Sequence, residues 1–290
     1  MAILLALFSS LLMSGTTIIM KKGIERTNPT SAMLVVTLAG TLILLVITLP
    51  LVQFDHLNSK AFLLFALAGL FSPALVRWLY FISLDRIGPS MSSSIISTGP
   101  AFTAIIASVF LKEKLTVAVG LGIILIIGGI IIFGRDINST GKFAVGDKQN
   151  LIFALSAAVL AGLAIVIRKM GLNVLDEPLF GVTVGFTTSL VFYALMCLAF
   201  KGMRAAISLN RKNTLYLCGA GAFLTAGWLT LFYALSYGDA IIVAPLASLH
   251  PAMVLGWSHL FFKDMEKITF KTVLGMIIVL IGVLLIALRH

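Results

Sequence analysis

The chain has 290 residues, of which 60% are hydrophobic and only 11% charged, and its mean hydropathy is +1.10. Soluble domains carry about 25% charged residues, so this composition excludes an ordinary water-soluble protein and also a disordered one. The formal net charge is +10. The basic residues stand at the ends of apolar segments, which is typical of loops that orient a membrane protein and does not indicate a nucleic-acid partner.

Apolar segments bounded by charged residues, Pro or Gly follow one another along the chain, and each can form a membrane-spanning helix of about 20 residues. They comprise residues 2–20, 31–53, 61–83, 91–111, 115–134, 150–167, 178–200, 213–236, 240–262 and 268–288. A transmembrane barrel would instead need short alternating strands. Residues 135–149 form the longest polar connection and separate five spans from five. The sequence therefore predicts an all-α membrane protein with ten transmembrane helices.

The two halves of the chain carry the same landmark residues in the same order. A shift of 151 residues, which becomes 153 toward the end of each half, superimposes Ser, Pro and Gly positions. The matched pairs include Ser97 with Ser248, Pro100 with Pro251, Gly122 with Gly275 and Gly129 with Gly282. The glycines among them are expected at close helix contacts. We interpret residues 1–134 and 150–290 as two five-helix repeats, and because five is an odd number of spans, the second repeat has to be inverted in the membrane.

This arrangement resembles the drug/metabolite transporter superfamily, and specifically its EamA-type members. The motifs that carry the resemblance are Lys21-Lys22 at the end of the first span, Ser83-Leu84 near the end of the third, Pro100 and Pro251 in the fourth and ninth, and the connection at residues 111–116. The corresponding connection of the second half, residues 263–267, is two residues longer and matches less well. The resemblance implies a carrier of small metabolites, commonly an exporter, that works without a bound cofactor.

Inverted repeats are the architecture of many secondary transporters, in which two units rock and expose a central site alternately to each side of the membrane. We therefore expect a secondary transporter that exports a small polar metabolite, an amino acid or a similar zwitterionic or anionic compound. A flippase for a lipid-linked sugar or phosphate is the alternative, because it would use the same fold. The expected partners are the substrate and the lipid bilayer of a prokaryotic plasma or inner membrane, and a homodimer and a monomer are both open.

Enzyme motifs are absent from the sequence. It contains neither His-Glu-x-x-His nor Gly-x-Ser-x-Gly, and no pair of carboxylates falls in the middle of a span. We therefore predict no enzyme, no catalytic residue and no metal site. The connections are also too short to form the soluble domains with which a scaffold or receptor would recruit partners.

All eleven acidic residues fall in loops or at span ends, and the first span offers only Ser and Thr hydroxyls. The four-helix multidrug exporters of the superfamily that this chain resembles bind cations and protons with a carboxylate in their first helix. An organic cation would find no such counter-charge in the core of these spans, where charge is expensive. The predicted cavity is therefore neutral to positive, which argues against a cation/proton multidrug antiporter.

Arg77 lies inside the third span, about six residues from its end, and has two interpretations. Its long stem can carry the guanidinium to the membrane interface. Alternatively, Arg77 faces a central cavity and binds a carboxylate or phosphate through bidentate hydrogen bonds. The spacing places Pro73 and Tyr80 on the same helical face. The repeat equivalent of Arg77 is Trp228, and this asymmetry favours a site for an oriented substrate.

His250 lies near the middle of the ninth span, directly before Pro251. It is either a neutral imidazole bonded to a neighbouring helix or a titratable group in the cavity that couples transport to protons. Prolines in the fourth and ninth spans remove backbone donors. The freed carbonyls are tolerated in a membrane where they line a polar cavity or are bonded by Ser and Thr. These two spans are therefore expected to line the pathway, with simple helix packing as the alternative.

The predicted central site is built from the third, fourth, eighth and ninth spans and is closed by the first and sixth. Its aromatic residues either stack against a substrate or pack and anchor the spans at the interface. The candidate substrate-binding residues are Ser14, Arg77, Tyr80, Ser94, Ser97, Thr98, Trp228 and His250.

Charge and resemblance predict different orientations of the chain. The connections after the odd-numbered spans hold 14 Lys and Arg residues, whereas the other connections and the C-terminus hold 6. Because cytoplasmic loops carry the excess of basic residues, the count places both termini outside. The family resemblance places them inside.

Overall fold

The computed structural model describes residues 1–24, 29–52, 58–87, 92, 95–137, 150–200, 211–250, 252–254 and 270–287. In these residues the regular secondary structure is helical and contains no strand, which agrees with the all-α prediction. The α-helices are α1 (Ala2–Ile24), α2 (Pro29–Leu51), α3 (Ser59–Gly69), α4 (Val76–Ile87), α5 (Gly99–Phe110), α6 (Val117–Ile137), α7 (Leu151–Val174), α8 (Pro178–Ala199), α9 (Arg211–Tyr237), α10 (Ala240–Ala247) and α11 (Phe270–Ala287).

Six helical segments of the described chain are long and apolar enough to cross a membrane. They are Ala2–Met20, Ser31–Leu51, Ser59–Tyr80, Leu151–Val174, Pro178–Ala199 and Asn213–Tyr237. Shorter apolar helices include Gly99–Phe110, Val117–Ile132 and Ile277–Ile286. Each of these segments overlaps a span that hydropathy predicts.

The third predicted span is interrupted rather than continuous. Residues Leu70–Leu75 form a π-helical turn between α3 and α4, and within it Ser72 adopts an extended conformation with φ −142° and ψ 125°. The cause is Pro73, because proline lacks a backbone donor and pushes the preceding residue out of the helical region. The break lies at Ser72, before Pro73, so the shared face of Pro73, Arg77 and Tyr80 stays a prediction, and Arg77 and Tyr80 lie three residues apart on α4.

The sixth span is longer than predicted. The predicted span ends at residue 167, before two basic residues, but α7 continues to Val174 and contains Arg168 and Lys169. Arg168 is only 2% exposed. Apolar residues resume directly after this pair, so the helix can continue once the guanidinium is covered by neighbouring rings. The assignment of Arg168 to a span end is therefore corrected.

Pro100 lies inside the fourth predicted span, but in the first turn of α5 after the N-cap residue Thr98 and not in a helix interior. A proline in the first turn costs no hydrogen bond, because the first backbone donors of a helix have no partner inside it. Pro245 does lie inside a helix, two residues before the end of α10. Pro251 lies outside the described residues.

The helices divide into two compact units. The first comprises Met1–Leu70 and Ile167–Tyr237, and so contains α1, α2, α3, α8, α9 and the end of α7. In this unit α1 packs against α9, where Ser9 Oγ donates to the Gly227 carbonyl oxygen over 2.7 Å. A Cβ added to Gly69 on α3 would lie 2.6 Å from the Gly185 Cα on α8. These small residues let the backbones of the two helices touch.

The second unit comprises Phe71–Val166 and Gly238–His290. Its largest described contact joins α6 to α11 through the four glycines for which close packing was predicted. A Cβ on Gly122 would lie 2.8 Å from the Gly282 carbonyl oxygen, and one on Gly129 would lie 2.6 Å from the Gly275 carbonyl oxygen. The predicted packing role of these glycines is confirmed.

The glycine contacts also give the direction of the two helices. Residue numbers rise along α6 as they fall along α11, so the helices are antiparallel. Gly122 and Gly275 are equivalent in the predicted repeats, and so are Gly129 and Gly282. Each glycine therefore contacts the repeat equivalent of the other glycine on its own helix, which is the pattern of a local pseudo-two-fold axis.

Candidate functional site

The candidate residues belong to both compact units. In the second unit, α4 carries Arg77 and Tyr80, which are both half-buried. Their side chains lie near each other on the helix because they are three residues apart. Among the described residues no hydrogen bond or ion pair joins the Arg77 guanidinium to another side chain. Arg77 can therefore offer its donors to an anionic group.

A turn of the chain before α5 carries two further candidates. Ser97 and Thr98 are half-buried, and Thr98 Oγ1 donates to the Ile95 carbonyl oxygen over 2.6 Å. Ser94 lies outside the described residues. The Thr98 hydroxyl thus satisfies a local carbonyl and retains acceptor capacity for a ligand.

His250 follows α10 in the same unit and is exposed. Within the described part of the chain its imidazole has no hydrogen-bond partner, so the structure does not show the bond to a neighbouring helix that one interpretation required. Ser248, the repeat equivalent of Ser97, donates through Oγ to the Pro245 carbonyl oxygen over 2.7 Å. The end of α10 therefore resembles the start of α5 in having a hydroxyl bonded within a turn.

Glu113 has a structural role that is not among the predictions from the sequence. Its two carboxylate oxygens accept from the backbone nitrogens of Ala240 and Ile241, each over 2.9 Å, at the start of α10. The preceding residue Asp239 makes no side-chain capping bond. The first backbone donors of a helix lack partners inside it and attract negative charge. The acidic connection after the fourth span therefore caps the ninth.

The spacing of residues could not reveal this contact, since Glu113 and Ala240 are separated by 127 residues. A weak signal did exist in the sequence. The acidic connection matched a family motif, and an unexplained carboxylate near apolar helices is a candidate cap for an N-terminus. The partner helix could be identified only from the fold.

In the first unit, Ser14 and Trp228 are the candidate residues. Ser14 is fully buried, and its Oγ donates to the Leu11 carbonyl oxygen of its own helix over 2.6 Å. Trp228 is half-buried on α9. These positions show that the hydroxyl is satisfied within α1 and that part of the indole remains accessible.

Trp228 contacts a residue that was not among the candidates. The Arg168 guanidinium carbon lies 4.4 Å from the centroid of the Trp228 ring and 5.9 Å from that of Phe232. Both distances are in the range of cation–π contacts. Trp228 and Phe232 are four residues apart on α9 and so present one face to α7. Arg168 is not among the residues predicted from the sequence, because the predicted sixth span ends directly before it.

Phe232 is part of an aromatic cluster that fixes this face of α9. Its ring centroid lies 6.0 Å from that of Phe65, which in turn lies 6.2 Å from that of Phe180. Such pairs add packing energy beyond the area that they bury. Phe65 and Phe232 are each no more than 2% exposed. The rings on which the Arg168 guanidinium rests are therefore held by the core of the unit.

The first unit also contains a cavity of about 210 Å³ between α2, α3 and α8. Its hydroxyls are engaged inside the protein, because Thr48 bonds Thr183 over 2.7 Å and Thr187 and Thr188 bond backbone carbonyls of α8. Phe62 and Leu49 at its edge are exposed. An apolar cavity with exposed apolar neighbours does not suit a polar metabolite. The lining residues are Leu45, Thr48, Leu49, Phe62, Phe180, Thr183, Val184, Thr187 and Thr188.

No group of three or more His, Cys, Asp or Glu side chains within metal-binding reach occurs in the described ranges of the chain. The two cysteines, Cys197 and Cys218, are free thiols. The chemistry of the described candidates is thus that of guanidinium, hydroxyl, imidazole and aromatic groups, which bind polar or charged ligands through hydrogen bonds and ring contacts.

The comparisons with known proteins agree with one another. The EamA-like transporter family matches residues 1–135 and 149–288. An uncharacterized transporter of Clostridium kluyveri is 25% identical over 261 residues, which cover 88% of this chain and 82% of the relative. An uncharacterized protein of Methanocaldococcus jannaschii is 29% identical over 140 residues, 48% of this chain and 97% of the relative. A solved crystal structure aligns with a TM-score of 0.82 over 99% of this chain and 96% of its own, at 15% identity, and shows a shared fold.

Proposed function

This chain belongs to the EamA-like transporter family, and from that premise we propose that it exports a small anionic or zwitterionic metabolite, such as an amino acid, by alternating access. Membership establishes a multi-pass membrane transporter. The class of substrate, the direction and the mechanism are our proposal. The observation that carries it is Arg77, a half-buried guanidinium on a membrane helix with no hydrogen-bond or ion-pair partner among the described side chains.

The helix packing supports an alternating-access mechanism. Equivalent helices of the two predicted repeats pack against each other within each unit: α2 against α8 in the first, and α5 against α10 and α6 against α11 in the second. The antiparallel direction of α6 and α11 is what inverted repeats require. A relative of which 97% aligns with about half of this chain is consistent with a duplicated unit. We therefore propose ten spans as two inverted repeats, the architecture of rocking transporters.

The proposed substrate contacts are the candidate residues predicted from the sequence. We assign the anionic group of the substrate to Arg77, with Tyr80, Ser97, Thr98 and His250 as further polar contacts and Trp228 as an aromatic surface. Ser94 and Ser14 complete the candidate set. A charge-assisted hydrogen bond in such a site contributes roughly 1.5–3 kcal/mol, which corresponds to a tenfold to hundredfold preference for the anionic or zwitterionic ligand.

A ligand screen by thermal unfolding in detergent tests this proposal. A ligand at a hundred times its Kd stabilises the folded state by about 2.7 kcal/mol. We expect amino acids or other small acids to raise the unfolding midpoint of the wild-type protein, and to raise that of Arg77→Ala less. Stabilisation by a quaternary ammonium dye that equals that by any acid, and is unchanged in Arg77→Ala, contradicts the proposal.

The flippase alternative is supported by one observation. The apolar cavity in the first unit borders the exposed Phe62 and Leu49, a setting that suits a hydrocarbon chain. The same screen includes a lipid-linked sugar phosphate. If this compound stabilises the protein and the soluble acids do not, the flippase interpretation replaces the metabolite exporter.

A further inference from the structure

The buried Arg168 has no role in the function proposed so far. We propose that Arg168 is a positioning and specificity-determining residue that acts through the Trp228 indole and makes the substrate path reject organic cations. This inference rests on the proposed function, because it requires Trp228 to contact the substrate. It adds a second source of charge selectivity that is independent of Arg77.

The Arg168 guanidinium stacks on the ring of Trp228 inside the first unit. Arg168 is 2% exposed and lies 4.4 Å from the Trp228 ring centroid. The next ring on that helix face, Phe232, is also 2% exposed and is held by Phe65. The Arg168 guanidinium therefore packs against the Trp228 indole in a defined position, and this contact also holds the indole in place.

The neighbouring basic residue, Lys169, has a different partner. Its Nζ donates to the Leu235 carbonyl oxygen over 2.7 Å, near the C-terminal end of α9. It thus ties α7 to α9 through a hydrogen bond to the backbone. Arg168 and Lys169 are adjacent cations on one helix with different partners, which makes Lys169 a matched control.

The charge of Arg168 affects which ligands can bind to the accessible part of the Trp228 indole. A free aromatic face attracts cations. Here the Arg168 guanidinium already occupies one face of Trp228, so a second cation stacked on the opposite face would lie about 8 Å from it. At an effective dielectric constant of about 20, Coulomb repulsion at this separation weakens binding about thirtyfold. An anionic or zwitterionic ligand does not meet this penalty and gains from the positive charge.

The fluorescence of Trp228 itself reports ligand binding in the experiment that tests this inference. In a protein whose other tryptophans are replaced (Trp78→Phe, Trp257→Phe), Trp228 fluorescence is titrated with glutamate, alanine and tetraethylammonium. In the protein that retains Arg168, we expect glutamate or alanine to change the Trp228 emission. Tetraethylammonium should change this emission only at concentrations at least tenfold higher. Equal responses to tetraethylammonium and to the amino acids in this protein overturn the inference, whatever the variants show.

Variants then separate charge from structure. Arg168→Gln should lower the apparent Kd of tetraethylammonium relative to that of glutamate by about tenfold or more, and Arg168→Lys should restore much of the wild-type ratio. Lys169→Gln should leave the ratio unchanged. An unchanged ratio in a folded Arg168→Gln protein overturns the inference. If Arg168→Gln does not fold, the wild-type titration still decides.

The failure of this inference is distinguishable from failure of the proposed function. If Trp228→Leu leaves transport unaffected and no ligand changes Trp228 emission, the placement of Trp228 in the substrate path is wrong. If Trp228→Leu impairs glutamate or alanine transport while Arg168→Gln leaves the charge preference as it was, only the role of Arg168 is wrong.

Discussion

At the scale of single residues, two arginines inside membrane helices differ in how they are held. Arg77 is half-buried and has no described hydrogen-bond or ion-pair partner, whereas Arg168 is buried against the rings of Trp228 and Phe232. A buried charge in a membrane is expensive and usually marks function. The half-buried Arg77 suits direct contact with the substrate, whereas the buried Arg168 suits a role through the Trp228 ring.

Removal of the Arg77 guanidinium should weaken substrate binding without preventing membrane insertion. We expect Arg77→Ala to raise the apparent Kd of an anionic or zwitterionic substrate tenfold to hundredfold, since one charge-assisted bond contributes roughly 1.5–3 kcal/mol. Arg77→Lys should recover only part of the loss, because lysine lacks the planar fork. The measurement is equilibrium binding in detergent.

Arg86 provides the matched control for this substitution. It lies on the same helix, is exposed, and donates to Asn150 Oδ1 over 2.9 Å. Arg86→Ala removes the same charge from α4 and should leave the apparent Kd within about twofold, as exposed polar contacts contribute little. If both substitutions weaken binding equally, the effect is general to the charge of the helix and Arg77 is not a ligand.

At the scale of helices, the cap on α10 explains why the connection after the fourth span is acidic. We expect Glu113→Ala to lower the free energy of unfolding by about 1–3 kcal/mol, because two backbone donors lose a charged acceptor. Glu113→Gln should lose about half as much, since one of its two polar groups can no longer accept. Unfolding in detergent by heat or denaturant measures both.

Glu177 is the matched control for the cap. It directly precedes α8 but makes no side-chain capping bond, and it is exposed. Glu177→Ala should therefore change stability by no more than about 0.5 kcal/mol, as is usual for surface substitutions. A Glu113→Ala protein that is as stable as the Glu177→Ala protein would show that the carboxylate does not support α10.

The contact between α6 and α11 gives a second test at this scale. A Cβ on Gly129 would lie 2.6 Å from the Gly275 carbonyl oxygen, whereas one on Gly128 meets nothing within 4 Å. We expect Gly129→Ala to destabilise the protein by about 1–3 kcal/mol through overpacking. Gly128→Ala should be neutral or slightly stabilising, because alanine favours helix more than glycine does. Equal unfolding midpoints for the two variants would contradict the described packing.

The sequence predicts the helices better than their contacts. Hydropathy locates α2, α8 and α9 to within about two residues, because the apolar length of a span depends only on the membrane. Hydropathy fails where local contacts or a proline determine the length or continuity of a helix. Helix α7 continues past Arg168 because rings on α9 cover the guanidinium. The third span breaks because Pro73 distorts Ser72. Neither the partner of Glu113 nor the stack on Trp228 can be deduced from spacing, since both depend on contacts between distant segments.

At the scale of the whole molecule, each compact unit takes helices from both halves of the sequence. Repeats in the sequence and units in space are therefore different divisions of this chain. Duplication explains the order of the landmarks, while packing brings equivalent helices such as α6 and α11 side by side. We therefore propose that residues 1–134 and 150–290 are repeats of one ancestral unit, although they do not coincide with the compact units.

The proposed ten spans and the distribution of basic residues together predict the membrane topology. With Cys197 and Cys218 replaced by Ala, single cysteines near each terminus and in residues 135–149 can be labelled with an impermeant thiol reagent on intact cells. We expect both termini to lie on one side, which the charge count makes the outside, and residues 135–149 to lie on the other. Labelling of the two termini on opposite sides would exclude an even number of spans.

We propose that this member of the EamA-like transporter family moves an anionic or zwitterionic metabolite and rejects cations. Counterflow in proteoliposomes tests it most directly, because exchange of labelled for unlabelled substrate needs no knowledge of direction or driving force. We predict saturable counterflow of an amino acid such as glutamate or alanine, reduced at least tenfold in Arg77→Ala at substrate concentrations well below the apparent Kd. If tetraethylammonium shows counterflow and no amino acid or sugar acid does, the proposed preference for anionic or zwitterionic metabolites is wrong.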